Sequence, residues 1–229
     1  MSTVVNSSAP DRLHAVLQRP ALASIAPALR DALAQAWAAS ETAQADSVPW
    51  ALLTDTLDAL AHLAADEATL VAALLFDIPA LRPGVATLPW QPAERRGVVE
   101  GLLDGLDAAD QVWALHAGRE AGRNSEGLRR LLLSIIHDLR VVPILLARQL
   151  ARMRVADRQS EEERRALAQL TRDIHAPLAN RLGIWQVKWE LEDLAFRHLE
   201  PDTYRRIARD VDETLSLIHI SEPTRQEAI

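Results

Sequence analysis

Three observations predict an all-α fold, a packed helical domain followed by a helical connector. Strong helix formers (alanine, leucine, arginine and glutamate) dominate a chain of 229 residues that holds eight glycines. Apolar residues recur at helical spacing, as at Leu52, Leu53, Leu57 and Leu60. Alternating strand patterns are scarce, and the Val–Val and Ile–Ile pairs fall inside longer helix-period segments.

Each element then follows from its own signals. Residues 7–10 offer caps and an early proline for a short helix over 12–19. A second, Ala-rich helix is predicted over 21–39, then a polar loop over 40–49. A third helix runs over 50–63. Asp66 can cap a fourth over 67–77, which Pro79, Pro83 and Gly84 end. Residues 88–120 suggest one long helix carrying Gly97, Gly101 and Gly105, each costing roughly 1 kcal/mol against alanine. Such glycines mark either a close helix contact or a break. A loop is expected over 119–127, with apolar helices over 128–136 and 139–154, distorted before Pro143. Character changes to charged near 156–160, where Ser160 and Glu163 form a capping box. Helices over 161–183, 185–199 and 201–214 complete the reading, and "EEERR" (161–165) reads as a solvated face with i,i+4 charge pairs.

Composition narrows the function classes. A net charge of −7 gives no bulk electrostatic case for nucleic-acid binding. The absence of cysteine excludes disulfides, zinc-thiolate sites and thiol catalysis, and fits a cytoplasmic location. The N-terminus has no signal-peptide pattern, and no apolar run is long enough for a membrane span. Gly-rich phosphate loops are absent. His137–Asp138, inside "LLLSIIHDLRVVPILLARQLARMR", has the form of a metal-phosphohydrolase pair.

The segment "DIHAPLANRLGIWQVKWELEDLAFRHLEPDTYRRIARDVDE" (173–213) resembles the stretch joining the hydrolase and synthetase domains of the RelA/SpoT family, the long (p)ppGpp (guanosine tetraphosphate and pentaphosphate) enzymes of the stringent response. Residues 52–154 fit that family's N-terminal HD domain more weakly. The resemblance implies an HD-type fold. In active members a manganese ion is held by a His, the His–Asp of an HDxxED motif, and a distant Asp, and it activates water for attack on a 3′-pyrophosphate ester. Laid onto this chain, the first His falls at about Leu52 and the motif His at Phe76, while Asp77 is kept. The motif acids become Ala80 and Leu81, and the last ligand becomes Arg148. Three of four ligands are therefore lost, which implies a pseudo-hydrolase like the RelA branch, without catalytic residues, metal or cofactor. In this alignment His137–Asp138 is a decoy: Asp138 matches a non-ligand position, and the pair reads as a helix-end cap.

Other residues carry two readings each. His175, Asn180 and Arg181 read as helix packing that sets an interdomain angle, with nucleotide contact across that interface as the alternative. Trp185 and Trp189 share a helix face and read as core against the next domain, or else as a binding groove. His62, His116 and His198 have no companions at ligand spacing.

The resemblance further implies that the chain is the N-terminal part of a RelA-type GTP pyrophosphokinase. A degenerate HD domain is expected over 1–156 and a connector over 157–214. The parent would use ATP, GTP or GDP and Mg²⁺ in a synthetase domain that does not follow here, with ribosome and tRNA contacts further downstream. "SLIHISEPTRQEAI" (216–229) departs from the family pattern and resembles translated sequencing-adapter DNA, so 215–229 is read as a non-native tail. Two alternatives are a helical interaction module using the Trp185 face, and an active manganese hydrolase in which Asp77, Asp138 and His137 or His62 converge.

Overall fold

The computed structural model describes backbone and side chains for residues 12–40, 48–113, 127, 130, 134 and 137–211, and backbone alone for 9–11, 114–117 and 212–221. Every regular element among the described residues is helical. The α-helices are α1 (Ala9–Leu17), α2 (Pro27–Ala39), α3 (Trp50–His62), α4 (Glu67–Asp77), α5 (Arg95–Ala117), α6 (Val141–Arg154), α7 (Glu161–Leu170), α8 (Ala176–Arg181), α9 (Trp185–Leu199) and α10 (Pro201–Ser221). Short 3₁₀ segments cover Pro20–Leu22, Pro79–Thr87 and Ala156–Arg158, and a π-helical turn spans Thr171–His175.

Helix α4 lies at the centre. Residues 68–76 are all buried, the pattern of a helix apolar all round and enclosed by neighbours. Asp66 caps it by accepting from the Thr69 amide at 2.8 Å, as its sequence signal predicts. The chain enters that cap through Ala64, which adopts a left-handed φ of 54°. Glu67, the first residue of α4, accepts the Ala26 amide at the start of α2 and pairs with Arg95 at the start of α5. One carboxylate thus ties three helix starts together.

Several expectations change. The helix predicted over 21–39 is broken: a 3₁₀ turn ends at Leu22 and α2 restarts at Pro27, whose fixed φ suits a first turn and not an interior. The three-glycine helix is continuous from Arg95. At Gly105 a Cβ would lie 2.8 Å from Val141 Cγ2, so this glycine admits a close α5–α6 approach, whereas Gly97 and Gly101 face open space. The helix expected over 161–183 is interrupted by the π-turn and ends at Arg181. Gly183, at φ 72°, closes it, with the Ile184 amide reaching back to the Ala179 carbonyl at 2.9 Å. The capping box of Ser160 and Glu163 forms. Helix α10 runs on to Ser221, beyond the end expected near 214. The predicted loop at 119–126, most of the helix at 128–136 and the end of the tail at 222–229 lie outside the described residues, as does the His116 side chain.

The apolar core is continuous across 156–157. Ala168, Ile174, Leu178, Val187 and Leu191 belong to the same cluster as Leu57, Leu74 and Leu146. Residues 168–191 therefore pack directly onto the helices that carry the site.

Candidate functional site

The site is built where the end of α4 meets the middle of α6. Asp77 is the last residue of α4, and Pro79 redirects the chain into the 3₁₀ segment. Arg148 Nη2 donates to Asp77 Oδ1 at 2.8 Å, with side-chain exposures of 15% and 7%. The Arg148 Nη1 also approaches Asp110 of α5, at 3.9 Å. Burial pushes the Asp77 carboxyl up from its ordinary pKa, and the Arg148 cation opposes that shift. The Phe76 ring lies beneath two guanidiniums, Arg148 at 4.4 Å and Arg82 at 5.0 Å. Arg82 is itself held by Asp107 at 2.8 Å and by the Leu75 carbonyl at 3.3 Å. Phe76, Asp77, Ala80 and Arg148 line a hollow of about 280 Å³ together with Trp37, Val48 and Pro49. Leu81, 2% exposed, and half-buried Leu52 do not line it.

Behind this hollow stands a second group that sequence reasoning missed as a unit. Arg152 follows Arg148 by one turn and feels both Asp77 and Asp110. Its pKa is lowered by desolvation among its neighbours and by the Arg148 cation, although the residue as a whole is exposed. His175, on the π-turn, is 4% exposed and stacks on Trp113 with ring centroids 5.0 Å apart. Burial holds its pKa at about 4, so the ring is neutral at pH 7. The i,i+4 spacing of Arg148 and Arg152 was the available sequence signal. Trp113 gave none, because the pairing is tertiary.

The remaining candidates separate. His175 is turned into this chain's own core, while Asn180 and Arg181 are exposed. Trp185 and Trp189 are 54% and 62% exposed and do not join this chain's core. Lys188 Nζ sits 3.8 Å from the Trp189 ring and 5.7 Å from that of Trp185. His137 is exposed, and Asp138 accepts from the Arg140 amide at 2.9 Å and from its guanidinium at 2.6 Å. The Arg140 hydrogen bond holds the Asp138 carboxyl below its usual range. Arg140 reaches on to Asp66 at 2.8 Å, which places Asp138 at the N-terminal end of α4. Asp66 and Asp77 are separated along α4 by roughly 16 Å at the helical rise. His62 lines a different hollow, with Asp55 and Asp58. The set Asp77, Asp138 and His62 or His137 does not converge.

The hollow's own donors do not fit a divalent ion. A metal of this class asks for several imidazoles and carboxylates, whereas here one carboxylate faces a guanidinium and an aromatic ring. No group of three or more His, Cys, Asp or Glu suited to a metal occurs among the described residues.

Comparison with known proteins bears on this geometry. A family model of the HD domain matches residues 30–185, more than half of the chain. GTP pyrophosphokinase of Photobacterium angustum is 38% identical over 162 residues, covering 69% of this chain and 22% of that protein. The Escherichia coli GTP pyrophosphokinase is 37% identical over 166 residues, with the same coverages of 69% and 22%. The chain belongs to the RelA/SpoT family. A Synechocystis relative named as a probable guanosine-3′,5′-bis(diphosphate) 3′-pyrophosphohydrolase is 54% identical over 83 residues, 36% of this chain and 11% of that protein. The chain thus matches about a fifth of the length of its pyrophosphokinase relatives. No helix among the described residues is long and apolar enough to cross a membrane.

Proposed function

We propose that this region is a pseudo-hydrolase that regulates a (p)ppGpp synthetase. The parent enzyme transfers a pyrophosphoryl group from ATP to the 3′-hydroxyl of GTP or GDP and releases AMP. Its Mg²⁺ and both nucleotides belong to the synthetase domain, this region's partner, and ribosome and tRNA contacts belong to segments further downstream. The location is cytoplasmic.

The observation that carries the reading is the Arg148–Asp77 pair. A carboxylate that ligates manganese presents free lone pairs to the ion. Asp77 instead gives its charge to a guanidinium 2.8 Å away. A cation fixed at the ligand position also repels an incoming Mn²⁺. Without an ion to lower the pKa of water, the site has no hydroxide to deliver. Pro79, Ala80 and Leu81 supply no acid to move its proton.

The test is pyrophosphate release from ppGpp in the presence of Mn²⁺. The expected result is no release above the protein-free rate. Manganese-dependent release that Asp77→Asn abolishes would overturn the reading. For the regulatory part, Arg148→Met in the full-length protein is expected to change synthetase output; unchanged output at all nucleotide concentrations would contradict it.

The exposed indoles favour a second reading, a helical interaction module. Trp185→Ala with Trp189→Ala would then remove a larger species from size-exclusion profiles.

A further inference from the structure

The connector carries a groove that the pocket above does not use. It measures about 450 Å³ and lies where α7, the end of α9 and the start of α10 meet. Four guanidiniums line it: Arg164 and Arg165 from α7, Arg197 from α9, and Arg205 from α10. Two carboxylates, Asp157 and Glu161, lie on the same lining. Arg197 pairs with Asp157 at 3.2 Å, and Arg205 with Asp202 at 2.9 Å, while Arg205 Nε donates to the Pro201 carbonyl at 3.2 Å. Both ion pairs are exposed, and such pairs exchange partners at little cost. The side chains of Arg164 and Arg165 form no ion pair or hydrogen bond among the described residues.

This concentration of cations stands out in a chain of net charge −7. It is felt inside the protein as well. His198, on the groove lining, is 8% exposed with its Nδ1 3.8 Å from Asp157, yet its pKa is lowered by burial, with Arg164 and Arg197 pushing the same way. Tyr204 supplies a flat side wall, its ring set edge-on to Phe196 at 5.9 Å.

We propose that this groove binds a small anion bearing two or more phosphate groups. Guanidinium forks match phosphate oxygens in pairs, and two of the four around this hollow, those of Arg164 and Arg165, have no carboxylate partner among the described residues. The volume falls in the range of small-ligand sites. A polynucleotide would need a basic track leading away from the groove. Instead its surroundings are acidic, with Glu162, Glu163, Glu200 and Asp202 next to the lining residues in sequence. The proposal does not depend on whether the Asp77 pocket hydrolyses anything.

Calorimetric titration of the full chain with inorganic pyrophosphate tests it, with orthophosphate and a short single-stranded RNA as comparison ligands. Pyrophosphate is expected to bind about tenfold or more tightly than orthophosphate, because it engages two forks and not one. Arg164→Ala with Arg165→Ala should weaken pyrophosphate binding by about tenfold or more, and Arg96→Ala, on exposed α5 surface, should leave it unchanged. If the alanine pair fails to fold, the lysine pair keeps the charges, loses the forks, and should still weaken binding severalfold. No pyrophosphate binding, equal weakening by Arg96→Ala, or RNA bound more tightly than pyrophosphate would each overturn the proposal.

Discussion

Arg148 and the pair Arg164–Arg165 place the same side chain in opposite settings. Arg148 is paired with the buried Asp77, lies 3.9 Å from the more exposed Asp110 and covers one aromatic ring, with 15% of its side chain exposed. Arg164 and Arg165 line an open groove and form no ion pair among the described residues. A guanidinium whose charge is matched inside the protein becomes part of the fold. One with no committed carboxylate partner stays available to a ligand. The two differ in what their removal leaves behind, since only the first leaves an unpaired charge in a dry place.

The largest effect follows from that difference. Arg148→Met leaves Asp77 buried without its cation and should cost about 3–5 kcal/mol in denaturant unfolding. Adding Asp77→Asn should restore much of the loss, because no charge then remains to be paired. Additivity of the two substitutions would remove the contrast with the groove.

The wall behind Arg148 gives the next effect. The His175 pKa is lowered in the folded chain, to about 4. Its stabilising contribution is complete above the unfolded value near 6.5 and is lost as pH falls toward 4, because the unfolded chain alone takes up the proton. The slope from this group approaches about 1.4 kcal/mol per pH unit in that window. His175→Phe should flatten the stability profile between pH 6.5 and 4; an unchanged slope would mean that the ring is not shielded.

Gly105 tests how tightly α5 and α6 hold this wall. Gly105→Ala sets a Cβ 2.8 Å from buried Val141 Cγ2 and should cost about 1–3 kcal/mol, against a helix-propensity gain of about 1. Gly97→Ala meets nothing within 4 Å and should stabilise by up to about 1 kcal/mol. Thermal unfolding of the two variants reads the difference. Smallest of all, Arg164→Ala with Arg165→Ala should change stability by less than about 0.5 kcal/mol while altering anion binding.

What could be read from the sequence was local. The Asp66 cap and the Ser160–Glu163 box depend on residues three apart, so they were legible without knowledge of the fold. The break before Pro27 was obscured because alanines keep the helical period on both sides. The π-turn was hidden for a different reason. Gln149 of α6 donates to Thr171 Oγ1 at 2.7 Å, so the first residue of the turn is held by a bond that crosses between helices, while Thr171 itself donates locally to the Leu167 carbonyl at 2.8 Å. At the pocket, Phe76, Asp77 and Arg148 were found through the family resemblance, and their contact is a fact of packing. The groove was missed because "EEERR" promised i,i+4 pairs along α7. Glu163 is committed to the Ser160 cap instead, and Arg197 and Arg205 arrive from other helices.

An ion bound by Asp77 would have to displace the Arg148 guanidinium that now holds its carboxylate. Crystals of the protein soaked in Mn²⁺ and measured at the manganese edge test this directly. The anomalous difference map should be featureless around Asp77, with the Arg148 guanidinium still in contact with its carboxylate. A strong peak within bonding distance of the Asp77 oxygens, with Arg148 swung aside, would contradict it.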